Sequence, residues 1–277
     1  MLGHLSQSQP LSQSQQLSQS ISTYHSEGNT LVDDSKESES NLYSVITQDV
    51  LQYAQLKAAA FDATVVVERR LYSYDCHQTV KQTYPSLPDI PERMVDKYKS
   101  TYVQPDGGIM FLVTKEGKRI PILISEDKVQ GTNDRRFAKE QSKQSTGNAI
   151  ERGAKNMNFI RTLCQPLTYF PYVIFASGCD FHESETIPMR LVQMNHLQPY
   201  HYIDIGNREK DVEEQLTECI DNIRIAKVYG MDVATICIKA HAWNLYPHNS
   251  SRWKQYERIR VCKKIIDLAL DELFKTG

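Results

Sequence analysis

The spacing of apolar residues along this chain changes several times, and each change marks a new element. Between residue 41 and about residue 72, Leu42, Val45, Ile46, Leu51, Ala54 and Phe61 recur three and four positions apart. That is the period of helices with one buried face, so the stretch is expected to be helical scaffold. Pro85, Pro88 and Pro91 interrupt the pattern, and PERMVDKYK restarts a short helix with Pro91 near its first turn. Residues 103–113 and 119–128 then read as strands joined by the turn-forming KEGK at 115–118, a hairpin-like pair. A polar stretch at 130–144 precedes a helix at about 145–164 and the apolar strand FPYVIFA at 170–176. A further strand at 233–239 and an amphipathic helix at about 253–274 follow. Strand, helix, strand is the order of an α/β layer.

The first forty residues stand apart. LSQSQP, LSQSQQ and LSQS place Leu5, Leu11 and Leu17 six apart, a period of neither helix nor strand. Ser and Gln bury too little apolar area to offset backbone ordering, so residues 1–40 are expected to be a disordered tail and 41–277 a single domain. Hydrophobic residues at 40% suffice for a sizeable core. Six scattered cysteines without a CxxC pair, no run of apolar residues long enough for a bilayer and no secretory pattern lead to the expectation of a reduced, cytoplasmic protein without membrane association.

A net charge of −2 excludes a protein that coats nucleic acid indiscriminately. The total nevertheless conceals an uneven distribution. From Lys115 to Arg161 there are eleven Lys or Arg against six Asp or Glu, whereas residues 1–40 hold one Lys and five acidic residues.

Within that basic stretch lies the candidate chemistry. Asp106, in QPDGG, is followed after nineteen residues by Glu126-Asp127-Lys128 at the end of the apolar strand IPILIS. Alternation puts Glu126 and Lys128 on one side of the strand and Asp127 on the other. Two carboxylates, a backbone carbonyl and a substrate oxygen make a sufficient site for Mg²⁺, so Asp106 and Glu126 are candidate metal ligands. Lys128 beside them would orient or help deprotonate a water and stabilise charge on a phosphodiester under attack. The Gly107-Gly108 pair allows a sharp turn and the close approach of another backbone, such as that of DNA.

PDGG at 105–108, SEDKVQG at 125–131, GNAIER at 147–152 with Lys155-Asn156, and FPYVIF at 170–175 together resemble the EcoRI restriction endonuclease family, in order and at similar spacing. The resemblance covers roughly residues 103–181. It implies a PD-(D/E)XK α/β fold with a central mixed sheet flanked by helices, and a homodimer. It also implies Mg²⁺-dependent cleavage of both strands of DNA at a short palindrome, leaving 5′-phosphate ends, and a partner DNA methyltransferase that protects the host. Asp106, Glu126 and Lys128 become the catalytic set. Gln130, Ser145, Asn148, Ala149, Glu151, Arg152 and Lys155 become the recognition set, with Asn148 and Arg152 reading bases and Glu151 tying the two subunits' recognition helices together. Similarity through GNAIER implies an AATT centre.

The spacing agrees, since Ser145, Asn148 and Arg152 share one helix face, and Asn with adenine and Arg with purine acceptors are favoured major-groove pairings. Three positions depart from the pattern: Asp127 stands where a small apolar residue is expected, Val129 where a polar one is, and Ser145 where an alanine is.

Other constellations are weaker. Cys179, His182, His196 and His201 lack the usual second cysteine of a zinc site, and Cys76-His77 has no oxyanion donor. The competing functions are a structure-selective repair nuclease or resolvase of the same fold and a DNA-binding protein that has lost its metal; the Asn148–Arg152 face speaks against the first and an intact Asp106, Glu126 and Lys128 against the second.

Overall fold

The computed structural model describes residues 42–129, 140, 148–177, 189–190, 193–194, 214, 232–239 and 253–275. The 1–40 tail, the zinc candidates Cys179, His182, His196 and His201, and the recognition candidates Gln130 and Ser145 lie outside these residues.

A helical run begins at residue 42, passes through a π-type turn at Ile46–Val50 and continues as α1 (Leu51–Ala59). The helix ends sooner than the apolar spacing predicts. Asp62 takes a left-handed backbone (φ 55°), and Thr64–Glu68 forms strand β1. Val65, Val66 and Val67 are β-branched, which costs χ1 freedom in a helix and suits a pleated surface. This β-branched run outweighs the longer-range helical spacing.

A two-residue strand β2 (Leu71–Tyr72) leads into α2 (Ser73–Thr83), and PERMVDKYK forms a single turn of 3₁₀ helix followed by α3 (Val95–Ser100). Strand β3 (Tyr102–Val103) pairs with β2. The predicted strand at 103–113 is therefore divided: β4 proper is Ile109–Val113, separated from β3 by the PDGG turn.

The main sheet places β4 between β1 and β5 (Arg119–Val129), with β6 (Tyr172–Ser177) and β7 (Thr235–Lys239) beyond β5. The β1–β4 and β4–β5 pairs are antiparallel, whereas β5–β6 and β6–β7 are parallel. Helix α4 (Asn148–Cys164) connects β5 to β6 in sequence. The sheet is mixed and helices cover both faces, as the family resemblance implies.

Two apolar layers result. On one face, the π-type turn contributes Val50, α1 contributes Ala54 and α5 (Gln255–Phe274) contributes Val261, Ile265 and Ile266, packed with Met110, Leu112, Leu123, Val173 and Phe175 of the sheet. On the other, Cys76 and Val80 of α2 and Met157, Ile160 and Leu163 of α4 pack with Ile109, Phe111, Ile124, Tyr172 and Ile174.

Strand β5 does not keep one phase along its length. Met110 faces Leu123 but Phe111 faces Pro121, so Ile122 is an extra residue on β5, a β-bulge. Proline supplies no N–H to a ladder, which favours such an interruption. Ile120 and Ile122 belong to the α5 side. After the bulge the even positions change sides, and Ile124 lies in the α4-side layer. The bulge thereby turns Glu126 and Lys128 towards α4.

Candidate active site

Two local devices bring Asp106 to the end of β5. Gly108 N–H donates to the Pro105 carbonyl, closing a turn, and Gly107 N–H donates to the Ser125 carbonyl at 2.9 Å, fastening that turn to β5. The glycines are needed here. A Cβ on Gly107 would lie 2.0 Å from Ser125 Oγ; one on Gly108, whose φ is 80°, would lie 2.8 Å from the Glu68 carbonyl. The close approach permitted by this pair is therefore made by the protein's own backbone and side chains.

With the turn fastened, Asp106 Oδ2 accepts the Asp127 N–H at 3.1 Å and the Lys128 ammonium at 2.8 Å. Lys128 Nζ also lies 2.6 Å from Glu126 Oε1. One amine thus joins two carboxylates that are far apart in the sequence. Glu126 is almost fully buried, at 1% exposure. An unpaired carboxylate there would be costly, and it is surrounded by donors. Asn156 Nδ2 of α4 donates to Oε1 at 3.0 Å, and the Tyr172 hydroxyl of β6 donates to Oε2. Register places Tyr172 opposite Ile124 and Ile174 opposite Glu126, so Tyr172 reaches Glu126 from the same face of the neighbouring strand.

Burial pushes the Glu126 carboxyl up, against the opposing pull of Lys128. Burial draws Lys128 down, but the charges of Glu126 and Asp106 outweigh it and hold the amine above its ordinary value. The Tyr172 hydroxyl is raised well above its usual range by burial and by the neighbouring Glu126 charge. The centre therefore sets one amine against two carboxyl groups.

Asp127 points the other way and pairs with Arg258 of α5. Both are buried, at 5% exposure each. The carboxylate that departs from the family pattern is thus turned away from Glu126 and Lys128.

Asn148 and Ala149 lie in the first turn of α4. Glu151, Arg152 and Lys155 are exposed on α4, and Glu151 Oε1 accepts a bond from Arg190 at 3.2 Å. Gly153 is buried where a Cβ would lie 3.5 Å from Lys128 Cε, so α4 crosses directly over the lysine. Asn156, Tyr172 and Arg258 were not among the sequence-predicted residues. A weak signal existed for Asn156, four residues beyond Arg152, and for Tyr172, in the strand expected beside β5; none existed for Arg258.

Cys76 and His77 do not form a nucleophilic pair. Burial pushes the Cys76 thiol up to about 12, and His77 Nε2 lies 3.0 Å from the Pro88 carbonyl. Among the described residues no three His, Cys, Asp or Glu side chains gather as a ready metal cluster, and no helix is long and apolar enough to cross a membrane.

A mixed five-stranded sheet that gathers a turn aspartate with a glutamate and a lysine from one strand end defines a restriction-endonuclease-like α/β protein. The chain belongs to the EcoRI family: the family model described as restriction endonuclease EcoRI matches residues 85–275. Among curated proteins it is similar to the type II restriction enzyme RsrI of Cereibacter sphaeroides, 35% identical over 91 residues, which is 30% of this chain and 33% of that protein. It is also 34% identical over 87 residues to the type II restriction enzyme EcoRI of Escherichia coli, covering 28% of this chain and 31% of that one. The chain thus spans about a third of the length of the curated relatives it matches.

Proposed function

We propose that this chain is a type II restriction endonuclease that hydrolyses both strands of DNA at a short palindrome with an AATT centre, leaving 5′-phosphate ends. The observation that carries the reading is the Lys128 ammonium held between Asp106 and Glu126. In this reading residues 41–277 form one catalytic domain preceded by the 1–40 tail, and the enzyme works in the cytoplasm as a homodimer alongside a DNA methyltransferase.

The donor set fits Mg²⁺. Asp106 and Glu126 offer hard carboxylate oxygens that meet at a single cationic atom, and magnesium accepts one or two carboxylates while retaining waters. When bound there, the ion would neutralise phosphate charge and lower the pKa of water near the scissile bond.

The chain's own residues do the remainder. Asp106 and Glu126 hold the site against the end of β5. Lys128 is charged and projects from the same face, placed to hold a nucleophilic water or a phosphate oxygen and to offset charge gained as the bond breaks. In this reading Asn148 and Arg152 read base edges, Glu151 ties the two subunits' recognition helices together, and Gln130, Ser145, Ala149 and Lys155 belong to the same recognition set. A two-fold symmetric dimer matches a palindromic target.

Incubation with plasmid DNA and Mg²⁺, followed by sequencing of the ends, tests the reading. Discrete fragments with a common palindrome are expected, and EDTA abolishes them. Binding without cutting at any metal concentration would leave a DNA-binding protein instead, and cuts selected by DNA structure would leave a repair nuclease.

A further inference from the structure

Helix α4 touches the cutting centre twice. Gly153, without a side chain, lies over Lys128 Cε, and three residues later Asn156 donates its amide hydrogen to Glu126 Oε1. The same helix begins at Asn148 and carries Arg152 on its exposed surface. Arg152 and Asn156 are four apart and therefore neighbours on the helix, and Asn148 lies about 12 Å along the axis from Asn156. Rigid secondary elements carry displacements along their length, so a shift of the first turn would be passed to Asn156.

Glu126 is sensitive to such a displacement. It is nearly enclosed, and its position is set by Lys128, Asn156 and Tyr172. Lys128 belongs to the same strand and Tyr172 to the neighbouring one, so both are fixed by the sheet. Asn156 is the contact that comes from the helix.

We propose that Asn156 is a positioning residue that transmits the fit of DNA at the first turn of α4 to Glu126, so that the metal site reaches its binding geometry only on the correct sequence. The inference rests on the nuclease reading above. It assigns to one amide the link between sequence recognition and metal affinity, while base reading and phosphate chemistry stay with other residues.

The test uses the full chain and Ca²⁺ as the probe ion, with fluorescent duplexes carrying either the site cut by the wild-type protein or that site with one base pair changed. The wild type is expected to bind Ca²⁺ more tightly in the complex with the correct site. In Asn156→Ala, DNA binding without metal stays near the wild-type level, while the preference for Ca²⁺ in the correct complex falls by about tenfold, the size of a lost hydrogen bond to a charged group. Asn156→Leu, close in volume and a better helix former, carries the same expectation should the alanine variant lose its fold. Unchanged Ca²⁺ preference in a folded variant overturns the proposal and leaves the nuclease reading intact. A wild-type protein that neither cuts DNA nor prefers any sequence overturns both.

Discussion

Strand β5 carries two buried carboxylate–cation arrangements back to back, and they differ in access and in the number of carboxyl groups. On the α5 side, Asp127 meets the Arg258 guanidinium, with side-chain exposures of 1% and 6%. On the α4 side, Lys128 meets both Asp106 and Glu126, with Lys128 and Asp106 still 12% and 18% exposed. The first is closed to solvent. The second keeps an open end. Burial is common to both; a second carboxyl group and access from outside are what single out the open arrangement for the proposed metal and phosphate.

Lys128→Ala should break the open arrangement most severely. Cleavage should fall by on the order of 10²–10⁴-fold or more, while specific binding in Ca²⁺ is retained, because in the proposed role the amine acts on charge that develops during reaction. Cleavage assays paired with fluorescence anisotropy read both arms, and cutting at the wild-type rate would remove the lysine from the chemistry.

The closed pair should respond through stability. Asp127→Ala leaves a buried guanidinium without that carboxylate and should cost about 3–5 kcal/mol in urea denaturation. Adding Arg258→Met should recover most of the loss, since an apolar replacement of both charges is often neutral. If the double variant were as unstable as the single one, Asp127 and Arg258 would not act as a pair.

A smaller effect is expected from Arg152→Lys, which retains charge but not the planar fork. Discrimination between the correct site and a one-base variant should drop by about 1–3 kcal/mol, measured as a ratio of binding constants. The smallest is Gly153→Ala. Its new methyl would meet Lys128 Cε at 3.5 Å, an ordinary contact, so helix stability should rise by about 1 kcal/mol, seen as a higher Tm.

The geometry of the open arrangement was readable because it depends on short-range rules. PD and ExK sit at the ends of apolar runs, and strand alternation alone separates Glu126 and Lys128 from Asp127. The family motifs extended that reading to the mixed sheet and to the start of α4. The supports were harder to read because they depend on distant pairings. Arg258 lies 131 positions from Asp127, and Tyr172 is 46 from Glu126. No local period connects such residues. The conversion of 64–68 from helix to strand had a different cause: apolar residues at helical spacing overlapped a β-branched triplet, and pairing with β4 favoured the strand.

The extra Ile122 has an evolutionary consequence. Because it resets the inside-out rhythm of the strand just upstream of the motif, a deletion of that single codon would leave every motif residue present in the gene while exchanging their addresses in space. Glu126 and Lys128 would be delivered into the greasy layer beneath α5, and Asp127 would stand alone under α4. A comparison of genes that scores only which letters survive would miss such a loss, so in descendants of this protein the length of the run before the motif is as telling as the motif.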